Sequence, residues 1–272
     1  MDLFTPTLLA LRLSDDPEMP EGDSLPLKIE CAHIEDLTTR TVHVVKFASR
    51  ATRGKVGIIS EIVAGHLAAY FEIPTPDFAL VEISAAFAQS ANENEPYYDD
   101  RILTSINRNQ HPFNFGSQLI RYNTFNPLGM LTLNYGDLDQ AEMIFAFDSL
   151  IHNADRTLDN PNIFMQENQF IIYDHDKGFC FLIDGNDDHD PLRFCTPSGR
   201  SILFHHLFYG RLKKREVEFD KFVRLLIALD DTMIKQIVNQ IPYGLRNPYS
   251  VEIDAIVNHL ITCRENIRDF RI

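Results

Sequence analysis

The reading of this chain turns on one stretch, Phe147-Asp148-Ser149-Leu150-Ile151-His152-Asn153-Ala154-Asp155-Arg156-Thr157-Leu158-Asp159-Asn160-Pro161-Asn162. Its first half is helical in period: Ile144, Phe145, Phe147, Leu150 and Ile151 share a face, with Asp148 as a polar intruder. Upstream, Asp137 and Gln140 fit a capping box that would open this helix. The second half is a loop in which Asp155 is followed by Asn160. Asn162-Ile163-Phe164-Met165 and Phe170-Ile171-Ile172-Tyr173 then read as a hairpin, and Asp174 follows its second strand directly.

Working outward toward the N-terminus, Leu27-Lys28-Ile29-Glu30-Cys31 alternates at period two, and Thr41-Val42-His43-Val44-Val45-Lys46-Phe47 is β-branched. Pro20 to Ser24 is a turn cluster. Ile58, Ile59, Ile62, Val63, Leu67 and Phe71 recur at helical spacing until Pro74 and Pro76 stop the run. Phe78 to Ile83 is a further strand. The polar, acidic residues 90–101 suggest a lobe boundary, and His111 to Ser117 reads as a loop with a plain turn at Gly116-Ser117. Residues 183–191 are a second acidic loop, and apolar periodicity at Phe222–Leu229, Met233–Ile241 and Ile253–Ile261 makes the remainder helical.

Lys46 on a strand, Glu61 on the next helix, Asp155-x4-Asn160 and the post-strand Asp174 are, in that order, the polar inventory of a protein-kinase-like phosphotransferase. Moving a γ-phosphoryl group is mostly positioning and charge neutralisation. A strand lysine offers a fixed cation to the phosphates, and a helix glutamate holds it by an ion pair. A loop aspartate takes or orients the acceptor's proton. An amide and a carboxylate supply the hard oxygens that Mg²⁺ prefers. No feature is specific alone; the ordered set is.

These residues also resemble the HipA-like kinase family. The resemblance rests on Phe147 to Arg156 with Asn160-Pro161-Asn162, on Ile172-Tyr173-Asp174-His175-Asp176, and on Val44-Val45-Lys46-Phe47, Ser60-Glu61-Ile62 and Ile73-Pro74-Thr75-Pro76. It implies an α+β, two-lobed protein-kinase-like fold: a small antiparallel-sheet lobe with one helix over residues 1–88, binding nucleotide, and a mainly helical catalytic lobe over 89–272. It implies ATP and Mg²⁺, and transfer to a Ser/Thr hydroxyl of a protein; a small-molecule hydroxyl would use the same machinery. By the resemblance Asp155 is catalytic, Asn160 and Asp174 are metal ligands, and Lys46 with Glu61 hold the phosphates. No GxGxxG loop precedes Lys46; Ser24, in Gly22-Asp23-Ser24, sits where a phosphate loop would lie. Thr157 stands where the family usually carries His. The founding members are toxins paired with a DNA-binding antitoxin, and nothing in this sequence carries that pairing over.

Composition sets the outer limits. The 272 residues carry a net charge of −14, which argues against a nucleic-acid partner and an anionic membrane surface. No apolar run reaches the roughly 20 residues a membrane helix needs. The N-terminal residues lack a basic signal-peptide region, and Cys31, Cys180, Cys195 and Cys263 show no CxxC, so free thiols in the cytoplasm are expected. The sequence admits two rivals. One is a metal-dependent phosphohydrolase built on His152, Asp155, His175 and Asp176; the other is a kinase-shaped binding protein without turnover. Asp148 is expected to be a satisfied structural carboxylate, and His205 and His206 helix-surface or core residues.

Overall fold

The computed structural model describes residues 3–18, 25–48, 54–93, 98, 100–110, 112–120, 135–182, 204–213 and 219–267. The Pro20–Ser24 turn with the candidate Ser24, His111, most of the acidic stretch 93–100, the acidic loop 183–191 and Cys195 fall outside these residues. The chain forms two compact units, one of residues 2–62 and 76–121, the other of residue 1, 63–75 and 122–272.

The first unit is built on five strands: β1 (Thr7–Glu18), β2 (Leu27–His33), β3 (Asp36–Lys46), β4 (Phe78–Glu82) and β5 (Asn114–Gln118). They pair in the order β1-β2-β3-β5-β4 and close into a ring through β1 and β4. All neighbours are antiparallel except β1 and β4, which run parallel over Thr7–Leu9 and Leu80–Glu82. The wholly antiparallel sheet expected from the sequence is corrected at that pair. The alternation in β2 does what it predicts, burying Leu27, Ile29 and Cys31 with Val45, Phe47 and Val81. Burial pushes the Cys31 thiol up to about 12, which leaves it a packing residue.

The expected single helix of this unit is also corrected. Beside the start of α1 (Gly54–Tyr70) it holds α2 (Ala85–Glu93) and α3 (Asp100–Arg108), which bury Phe87, Ala88 and Ile106 in the same core. Of the loop expected at 111–117, Asn114 to Ser117 are in fact part of β5, with Gly116 paired to Val45 and Ala79. Its turn-like composition reflects a packing need. A Cβ at Gly116 would lie 2.7 Å from Val81 Cγ2 and 3.3 Å from His43 Cβ.

α1 is buried continuously from Gly57 to Ala68, as a helix apolar nearly all round must be. Its end is a Schellman motif. Glu72 takes a left-handed φ of 59°, Ile73 N–H donates to Ala68 O at 2.9 Å and Glu72 N–H to Ala69 O at 3.2 Å. Pro74 then forbids a further turn.

In the second unit α4 (Tyr135–Leu150) is the central helix, followed by the hairpin β6 (Ile163–Gln166) and β7 (Gln169–Ile172), then α5 (Tyr209–Leu212), α6 (Asp220–Ala228), α7 (Asp231–Val238), α8 (Tyr243–Arg246) and α9 (Ser250–Asn266). α4 starts two residues before Asp137, and Gln140 reaches from it to the hairpin. Gln140 Oε1 accepts from Phe170 N at 2.7 Å and Gln140 Nε2 donates to Asn168 O at 2.9 Å, which clamps the hairpin to α4. Phe71 stacks on Phe222 at 4.8 Å and meets Phe147 edge-on at 6.3 Å. His259 Nε2 bonds Leu150 O at 2.7 Å and ties α9 to the end of α4. Among the described residues Cys31, Cys180 and Cys263 are free thiols, and no helix is long and apolar enough to cross a membrane.

Candidate active site

Two polar clusters stand out, one in each unit. In the first, Lys46 closes β3 and Glu61 lies on α1. Lys46 Nζ meets Glu61 Oε1 at 2.6 Å, with side chains only 10 % and 3 % exposed. An ion pair this dry survives only if both partners stay, since removing one leaves an uncompensated buried charge.

The second cluster starts at the end of α4, where the helix gives way to Asp155 and Asn160. Asn160 Nδ2 donates to Asp155 Oδ2 at 2.8 Å, and Asn162 Nδ2 reaches the same oxygen at 3.4 Å. Lys177 Nζ donates to the other oxygen, Oδ1, at 2.9 Å. The Asp155 carboxylate is thus oriented from both sides while its side chain stays 19 % exposed. With its amide nitrogen turned to Asp155, Asn160 has its carbonyl oxygen left as an acceptor.

Asp174 follows β7 in a left-handed conformation, φ 61°. His152, Asn162 and Phe179 share that uncommon state at φ 50°, 44° and 52°. Non-glycine residues reach it at a cost and concentrate where function over-determines the backbone. Asp174 and Asp176 both act on Lys177. Burial would lower the Lys177 ammonium, but its bond to Asp155 and the fields of Asp176 and Asp174 outweigh that and raise it.

Below the loop lies a polar hub that the sequence pointed to only as a satisfied carboxylate. Asp148 accepts from Arg156 Nε at 2.6 Å and Nη2 at 3.3 Å, from Asn153 Nδ2 at 3.0 Å, and from His206 Nε2 at 3.0 Å. The tautomer follows from geometry: Phe208 N–H donates to His206 Nδ1 at 3.1 Å, so the ring proton sits on Nε2. Burial pushes His206 below the ordinary histidine range. Burial also works to raise Asp148, but Arg156 and His206 outweigh it and hold the carboxyl well below the usual range. Arg156 Nη1 also donates to Asn162 O, so one guanidinium binds both ends of the 155–162 loop to α4. His206 is core and His205 exposed; both lie before α5, outside any helix.

The residues fit Mg²⁺ better than a transition metal. Asn160, bonded to Asp155, and Asp174 carry hard oxygens, the donor type Mg²⁺ takes together with waters and substrate phosphates. Among the described residues no group of three or more His, Cys, Asp or Glu is arranged to hold a metal. The histidines of the phosphohydrolase reading go into aromatic surroundings: His152 lies 4.8 Å edge-on from His259, and His175 6.0 Å edge-on from Phe147.

A family model, HipA-like kinase, matches residues 37–190, a span that takes in both clusters. The chain belongs to the HipA-like kinase family. The chain is also similar to a solved structure, the crystal structure of a Helicobacter pylori proinflammatory kinase, CtkA. That similarity has 13 % identity and a TM-score of 0.45, and covers 94 % of this chain and 99 % of that one. The comparison with curated proteins finds no match.

Proposed function

We propose that this HipA-like kinase transfers the γ-phosphoryl group of ATP to a hydroxyl, with a protein serine or threonine as the acceptor class. The observation that carries the reading is Asp155, a part-exposed carboxylate fixed on one oxygen by Asn160 and on the other by Lys177. Such a group has the fixed position that a base acting on an acceptor hydroxyl needs. In the reaction the acceptor oxygen bonds to the γ-phosphorus as the bond to the β,γ-bridging oxygen breaks. ADP leaves with that electron pair, and the acceptor's proton passes to Asp155. Lys46, fixed by Glu61, holds the nucleotide's phosphates, and Ser24 is a further candidate contact. Asn160 and Asp174 would hold Mg²⁺, which when bound neutralises the developing phosphate charge. The acidic excess in the chain, net −14, favours basic over acidic protein substrates.

The test is Mg-ATP turnover in the wild type and in Asp155→Asn. Loss of the base is expected to cut turnover by at least ~10²-fold with the thermal midpoint unchanged. Equal rates in the two proteins would refute the assignment. A wild type that binds Mg-ATP without turning it over would point to the kinase-shaped binding protein instead.

A further inference from the structure

The loop between Asp155 and Asn160 carries a single cation, Arg156, and its guanidinium is wholly buried on Asp148 and on the carbonyl of Asn162. Within that loop no positive charge is available for a phosphate beside Asp155. One arrives from another segment. Lys177 stands three residues after Asp174, its side chain 38 % exposed, its ammonium 2.9 Å from Asp155 Oδ1. An ammonium has three donors, and among the described residues Asp155 is the one acceptor it meets. The chain around it is held firmly. Gly178 N–H bonds His175 O at 2.9 Å, Phe179 N–H bonds Ile151 O, and His175, Asp176 and Phe179 are buried. A Cβ on Gly178 would lie 3.0 Å from His175 O, so the turn that presents Lys177 is closed tightly.

We propose that Lys177 is a catalytic residue, the cation that grips the transferring phosphoryl group beside Asp155. The inference rests on the kinase reading above and adds to it a residue whose role is electrostatic. The γ-phosphoryl group spreads negative charge over three oxygens as it moves, and it does so next to a carboxylate. A preorganised cation shared between the two anions offsets their repulsion without reorganisation at the moment of transfer. Lys177 is placed to share its donors in this way: one stays on Asp155 and the others reach the phosphoryl oxygens.

Binding separates this role from mere support of Asp155. The dissociation constants of ADP and of the non-hydrolysable β,γ-imido analogue of ATP are measured by calorimetry with Mg²⁺. The proteins are the wild type, Lys177→Met, Lys177→Gln and Lys177→Arg, each with its thermal midpoint recorded. We expect the two neutral variants to bind the ATP analogue about 10-fold more weakly and ADP unchanged, with Lys177→Arg close to wild type. Because Lys177 is part-exposed, at least one neutral variant is expected to keep the wild-type midpoint, and the ratio is read from that variant. If the wild type binds both nucleotides and the neutral variants shift both equally, or neither, Lys177 does not touch the γ-phosphate and this inference falls while the kinase reading stands. If the wild type binds neither nucleotide, the kinase reading falls and takes the inference with it.

Discussion

Removing the Asp148 carboxylate would leave two buried partners, Arg156 and His206, facing an empty site. Breaking a buried ionic network from one side typically costs about 3–5 kcal/mol. Asp148→Ala is therefore expected to lower the urea unfolding free energy by that order and to reduce activity through disorder of the 155–162 loop. A denaturation midpoint within error of wild type would contradict the role assigned to the hub. At this scale the sequence was partly legible. The spacing of Asp155 and Asn160 marked a loop whose two side chains do bond each other, because loop chemistry is local. Lys177 and Arg156 escaped because a lysine after Asp174-His175-Asp176 and an arginine after Asp155 look like ordinary surface charges. Only the fold shows that one is tied to Asp155 and the other is wholly buried. The burial of Glu61 escapes the sequence for the converse reason: its neighbour Ile62 takes the apolar face, and burial all round α1 is a property of its surroundings.

At the scale of elements, β5 is the test of how the ring closes. Gly116 sits between β3 and β4 with no room for a side chain, since Val81 is itself wholly buried and branched. Gly116→Ala is expected to destabilise the protein by about 1–3 kcal/mol, the usual range for overpacking. Chemical denaturation would measure it, and a neutral substitution would mean that β5 is not seated as described. The strands that alternate cleanly, β2 and the end of β3, were readable from the sequence, as were the hairpin and the three longer C-terminal helices. β5 was not, because Asn114, Gly116 and Ser117 favour turns and outnumber the strand former Phe115. β1 was missed as well: its apolar start runs into Ser14, Asp15 and Asp16, and its pairing with β2 shifts register twice. Non-local pairing decides both cases, and no local period records it.

For the molecule as a whole, acid is the condition to which the fold is most exposed. Burial pushes His43, His66 and His206 below the ordinary histidine range, His66 to about 4. Between the unfolded value of about 6.5 and those lower values, the unfolded chain binds more protons than the folded one. Stability contributed by the neutral rings is therefore present above about pH 6.5 and is lost as the pH falls toward 4. The Asp148 carboxylate adds a loss of the same sign below the usual carboxylate range near 4. Urea midpoints at pH 7.5, 6 and 5 should fall in that order, and a flat profile would mean that these rings are solvated. The path of the chain has a different consequence. Residues 63–75 belong with the second unit although they lie between two segments of the first, and α1 runs through the changeover. Within the second unit they supply Pro74 O to Ile172 N and Tyr70 to Leu225 O. No single scission of the gene yields the second unit entire: a cut after residue 121 leaves the first unit whole but takes this segment away from the helices it completes. The second unit can be inherited, recombined or fused to another protein only in company with the first.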